Sequence, residues 1–183
     1  MDETKSKELV LQWLKQCVAG LSLCPYARVP LAAGQVKLVV CQSSAESDFL
    51  ELLIEEARLL KGFSDFETTL IIGPGGFEDF IRFNDLFSDA EDALIEVSLE
   101  QYFQLANFHP DYLFAEDPAD DAAHFTNRAP YPILQLLKVS SVAQAVDAGD
   151  TLSIPARNCA HLRSLSQARL RELFPWSAHW LER

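Results

Sequence analysis

The chain reads as an α/β protein of one domain, a mixed sheet of about four strands with flanking helices. Three observations carry that reading. Short β-rich runs alternate with stretches whose apolar residues recur at helical spacing. The run at 68–72 (TTLII) is apolar or β-branched throughout, as suits a central strand covered on both faces. The element order, α-β-α-β-α-β-loop-β-α-α, favours at least one parallel crossover. The alternative is a ferredoxin-like α+β sandwich with its helices on one face. A length of 183 residues suits one domain with a substantial core.

Residues 4–19 form the first helix, with Leu9, Val10, Trp13, Leu14, Cys17 and Val18 on one stripe and Gly20 as its stop. Pro25 biases Cys24 away from helical geometry, so Cys24 sits at a boundary. Residues 36–41 (VKLVVC) are the first strand. Ser43 and Glu46 make a capping box for a helix that runs to Lys61, with Phe49, Leu50, Leu53, Ile54, Ala57 and Leu60 inward. Gly62 ends it, and the 68–72 strand follows. Gly73-Pro74-Gly75-Gly76 then leads into a helix over 77–97. Strand, glycine turn and helix is the layout of a phosphate cradle. No Lys-Ser/Thr follows the glycines, and Glu78 and Asp79 in the first turn repel an anion, so these glycines read as a tight turn. Residues 102–108 are the third strand and 133–139 the fourth. Ser140 or Ser141 caps a helix through Ala148. Residues 156–174 form a basic amphipathic helix, and the aromatic tail with Trp176 and Trp180 packs back on the body.

The net charge of −12 repels a duplex phosphate backbone, so no nucleic-acid partner is expected. The charge is uneven. Residues 42–121 hold twenty acids against Arg58, Lys61 and Arg82, a net of −17, whereas 151–183 hold five Arg against Glu172 and Glu182, a net of +3. The plain reading is that the basic tail docks on the acidic body. Cys17, Cys24, Cys41 and Cys159 are too far apart for a CxxC pair. The N-terminus MDETKSKE lacks the apolar core of a signal peptide, and no apolar run approaches the ~20 residues a membrane span needs. The expectation is a cytoplasmic protein with reduced thiols and no membrane partner.

Residues 104–138 concentrate the chemistry. They hold His109, Asp111, Asp117, Asp120, Asp121, His124, Asn127 and Arg128 within a frame of four prolines. Long loops in compact domains are often functional, and sites in open α/β sheets gather beyond the carboxyl ends of strands. If 102–108 runs parallel to its neighbours, His109 and Asp111 are the first residues out of the sheet. His109 then acts as general acid/base with Asp111 orienting it. One His with several carboxylates also suits a divalent metal, although no metal-binding spacing is present. For Asp117 and Asp120 a solvated acidic loop with one capping Asp is preferred. Arg128 is the lone cation of an acidic stretch. It is either a bidentate clamp for a carboxylate or phosphate ligand or a structural salt bridge to Asp111 or Asp121, and only geometry separates these. Cys24 reads first as a buried small hydrophobe and second as a nucleophile, given a nearby positive charge or His109.

The blocks Leu23-Cys24-Pro25-Tyr26-Ala27, Phe108-His109-Pro110-Asp111-Tyr112 with Phe114, Asp120-Asp121, and Thr126-Asn127-Arg128-Ala129-Pro130-Tyr131-Pro132 resemble a bacterial family of small proteins catalogued as domain of unknown function 1415. The resemblance implies that Cys24, His109, Asp111, Asp121, Asn127 and Arg128 occupy signature positions. It brings no established activity or cofactor. It also implies His, Arg and Glu where this chain has Gln135, Lys138 and Val139.

Two functions follow. The first is a small-molecule enzyme with His109, Asp111 and Cys24 catalytic and an anionic substrate held by Asn127, Arg128 and Asp121. The second is a non-catalytic ligand- or partner-binding module. A divalent-metal-dependent hydrolase ranks third.

Overall fold

The computed structural model describes residues 2–62, 65–73, 75–147 and 153–181, with backbone alone at 145–147. The protein is built on a mixed four-stranded sheet with helices on both faces. The strands are β1 (Val36–Val40), β2 (Thr68–Ile72), β3 (Phe103–Phe108) and β4 (Ile133–Lys138), in the spatial order β1-β2-β4-β3. β1 and β2 pair in parallel, and β4 lies antiparallel between β2 and β3. β3 therefore runs in the same direction as β1 and β2, one place removed. All three end at the same edge, where Val40, Ile72 and Phe108 align with Ile133 at the start of β4.

The period of two along each strand divides the core. Leu70, Ile72 and Ile133 face α1 (Glu3–Trp13), α6 (Ile154–Ser164) and α7 (Gln167–Leu173). Ile71, Leu134 and Leu136 face α3 (Glu46–Lys61) and α4 (Phe80–Glu96). Every residue of β2 is buried, which is why its sequence carries no polar-out position beyond its two threonines. Helices on both faces exclude the ferredoxin-like alternative.

Several elements depart from expectation. The first helix continues past Trp13 as a π-helical turn (Leu14–Ala19), which carries Cys17 and Val18 into the core. The capping box does not form. Ser43 Oγ accepts from Ala45 N–H instead, and α3 begins at Glu46 behind an extended Ala45. α4 begins three residues late because Asp79 is its cap, accepting from Arg82 N–H. Phe77, expected on that helix, is a buried plug before it. Gly76 has φ +84, and a Cβ there would sit 2.4 Å from Ser44 Cβ, so close approach of two loops demands this glycine. The basic helix breaks at Leu165, and Ser166 caps α7 by accepting from Arg169 N–H. α2 (Arg28–Ala32) and a 3-10 turn (Ala122–Thr126) were not anticipated. α5 (Val139–Asp147) leaves β4 directly, and its expected end at Ala148 lies outside the described residues, as does Pro74. No described helix is long and apolar enough to cross a membrane.

Candidate functional site

His109 is the first residue beyond β3, and its backbone closes the long loop. Its N–H donates to Asn127 O, and its carbonyl accepts from Ala129 N–H. The imidazole is buried on the α4 side between the rings of Phe80 and Phe83. Nδ1 accepts from Asp111 N–H at 3.0 Å, and so Nε2 carries the proton and donates to Phe77 O at 3.0 Å. Both nitrogens are thereby committed to backbone. Burial pushes the His109 pKa below its ordinary value, against the opposing pull of the Phe77 carbonyl and of Asp111. His124 repeats the device, accepting from Phe114 N–H at Nδ1 and donating to Pro118 O from Nε2 at 2.7 Å. Each histidine is a neutral staple that needs one tautomer.

Asp111 anchors the C-terminal strap, a 3-10 segment (Pro175–Leu181). Its Oδ1 accepts from Trp180 Nε1–H at 2.8 Å and meets His179 Nε2 at 2.7 Å. Ser177 Oγ donates to Pro110 O beside it. Arg128 lies beneath the strap, 1% exposed. Its guanidinium is 4.4 Å from the Phe125 ring centroid and 4.8 Å from that of Trp180, and Nε–H donates to Tyr112 O. No salt bridge to Asp111 or Asp121 forms at this arginine. Two aromatic faces and a carbonyl are among the groups that hold it.

Asp121 faces a different cation. It caps the 3-10 turn through Ala123 N–H and takes Arg163 Nε–H on both oxygens, at 2.8 and 3.1 Å. The Arg163 guanidinium beside it holds its carboxyl below the usual range. Arg163 also reaches Asp117. Here the basic C-terminal helix docks on the acidic loop. Asp120 is exposed. Among the described residues, no group of three or more His, Cys, Asp or Glu side chains is placed to hold a metal ion.

Cys24 lies elsewhere. It packs with the cluster on the α1 side of the sheet, whereas the His109 ring is on the α4 side. Burial raises its pKa, and the backbone N–H groups of Tyr26 and Ala27 at its sulfur pull the other way. Its surroundings form a cleft of about 860 Å³. Leu70, Ala106, Phe108 and Leu137 floor it, and Trp13 of α1, Leu14 of the π-helical turn, the 23–31 segment and the start of α5 wall it. Asn127 and Thr126 reach it from the loop exit, so Cys24 and Asn127 are the two expected site residues that share a cavity. The Asn127 amide donates to Asn107 O and accepts from Thr126 Oγ.

Gln135, Thr68 and Asn158 also line the cleft and were not singled out from the residues alone. The signal was present for Gln135, a lone amide inside the apolar run ILQLLK of a central strand. Gln135 and Lys138, two of the three positions where the resemblance implies other residues, both line this cleft.

The model of a family described as a protein of unknown function (DUF1415) matches residues 5–172. No curated protein and no solved structure matches the chain.

Proposed function

The chain belongs to the DUF1415 family of proteins of unknown function, a membership that brings no activity, and from its geometry we propose a protein that binds a small molecule in the cleft over the sheet. The cleft carries this reading. It has about 860 Å³, an apolar floor, and polar groups of Cys24, Thr68, Asn127 and Gln135 on its lining. Ligand pockets of this size owe orientation and specificity to a few placed polar groups on an apolar lining. In this reading His109, Asp111, Asp121 and Arg128 brace the loop whose exit, Thr126 and Asn127, forms one end of the cleft. The setting is cytoplasmic, where the four thiols stay reduced.

The test is a thermal-shift screen of small apolar compounds against wild type and Ala106→Trp, which fills the floor. A ligand at a hundred times its dissociation constant adds about 2.7 kcal/mol of stability. The expected result is a set of compounds that raise the wild-type midpoint and lose their effect in the folded variant. Compounds that shift both proteins equally, or none that shift wild type, would sink the proposal.

One observation favours a second reading, thiol chemistry at Cys24. Burial holds the Cys24 thiol above its ordinary pKa, and two backbone N–H groups at its sulfur offset part of that rise. Iodoacetamide labelling resolved by mass decides it. Cys24 alkylated faster than Cys159 supports the reading, and Cys24 alkylated more slowly removes it.

A further inference from the structure

Resting on that cleft, we infer that its ligand is uncharged and is recognised through hydrogen-bond donors that it offers to two orientation-locked carboxamide oxygens, those of Gln135 and Asn158.

The orientation follows from proton counting. Thr68 has one hydroxyl proton, and it goes to Leu136 O at 2.7 Å, a carbonyl that can only accept. At its 2.9 Å contact with Gln135 the hydroxyl must therefore accept, so the amide nitrogen of Gln135 faces it. Oε1 is left on the other side. Asn158 is fixed by the same logic. Its neighbour at 2.6 Å is Leu23 O, again acceptor only, so Nδ2 faces Leu23 and Oδ1 points away. Neither oxygen has a hydrogen-bond partner within the described protein; both residues line the cleft, and Asn158 also lines a second pocket beside Arg157. A ligand that covers these amide oxygens without donating to them leaves them unmatched at the cost of their desolvation, so their fixed orientation favours a partner that donates.

Charge is excluded by a separate observation. The charged residues on the lining are Glu67 and Lys138, and they neutralise each other at 3.6 Å. Lys138 also donates to Phe66 O, and Glu67 accepts from Ser141 Oγ. A carboxylate or phosphate entering the cleft meets no uncommitted cation and two carbonyl-type oxygens. An ammonium meets those oxygens without a counter-ion. Either loses its hydration without compensation. A neutral amide, lactam or alcohol on an apolar body pairs with Gln135 and Asn158 and rests on Leu70, Ala106 and Phe108. The ligand class is thus the opposite of the anion that Arg128 seemed to announce, since Arg128 is sealed under the strap and is not on the lining.

The experiment uses matched trios on one apolar body: benzamide, benzoate and benzylamine, and the same three groups on cyclohexane and on indole. Binding to the full chain is read by ligand-observed NMR and by thermal shift, in wild type, Gln135→Leu and Ala106→Trp. The expected result is binding by the amides, absent in Ala106→Trp and about tenfold weaker in Gln135→Leu, the loss of about one hydrogen bond. Binding confined to the acids or the amines, or equal across each trio, overturns the inference. If that binding is still lost in Ala106→Trp, the cleft reading survives alone. No binding by any member overturns the inference, and when the broad screen is also silent the cleft reading falls with it.

Discussion

Arg128→Met separates a structural clamp from a solvent-facing ligand site. The wild-type guanidinium stacks on Phe125 and Trp180 at 4.4 and 4.8 Å and donates to Tyr112 O at 3.3 Å. A desolvated cation–π contact is worth about 1–2 kcal/mol, and a hydrogen bond to a charged group about 1.5–3 kcal/mol. Against that gross gain stands the desolvation of the guanidinium, several kcal/mol, which Met removes. Met fills most of the stem volume and stacks on the rings as a thioether. Tyr112 O and part of the ring contact are left uncompensated, and these contacts alone account for about 2 kcal/mol. For a chain of this size that is a fall of roughly 4–8 °C in Tm. Urea denaturation measures the free energy, and amide exchange at 109–114 and 175–181 measures where protection is lost. The expected pattern is faster exchange in these two segments and unchanged protection in β2. A variant as stable as wild type, with the strap still protected, would refute the clamp and return Arg128 to the ligand site.

Three further outcomes follow from the same geometry. His109 is neutral in the fold and has a lowered pKa, so the unfolded chain binds the extra proton first as pH falls below about 6.5. Stability is complete above that value and declines toward the lower folded pKa, by up to about 1.4 kcal/mol per pH unit. Urea midpoints at pH 7.5, 6.5 and 5.5 should fall less steeply in His109→Gln, and equal slopes would contradict the staple. Asp121→Asn keeps the cap and loses the ion pair to the half-exposed Arg163, a cost below about 1 kcal/mol that fades at high salt, whereas Asp121→Ala also loses the cap and costs about 1–2 kcal/mol at any salt. Equal costs for the two would remove the capping role. Gly76→Ala forces both a positive φ and the 2.4 Å contact with Ser44, and about 1–3 kcal/mol of lost stability is expected in a urea titration, with a neutral result counting against the tight loop contact.

Local patterns in the chain carried most of the secondary structure. TTLII suited a strand covered on both faces and is one, and the apolar spacing of α1 and α3 placed their inward stripes on residues that are buried or partly buried in the fold. The concentration of His, Asp and Arg at 109–128 marked where the chain does something unusual. These signals are short-range, because side-chain period and turn chemistry are set by neighbours within a few residues. Strand order was not legible. Nothing in 133–138 says that it inserts antiparallel between β2 and β3, since that depends on which edges remain open after the parallel crossover. Nor could the sequence separate the two fates of Arg128, because Phe125, Tyr112 and Trp180, which contact it, are brought in from three segments, and a count of charges sees none of these contacts. The cleft was hidden for the same reason. It is a gap between α1, the Cys24 segment, α5 and one face of the sheet, and a gap belongs to the packing of surfaces far apart in the chain, with no residue pattern of its own.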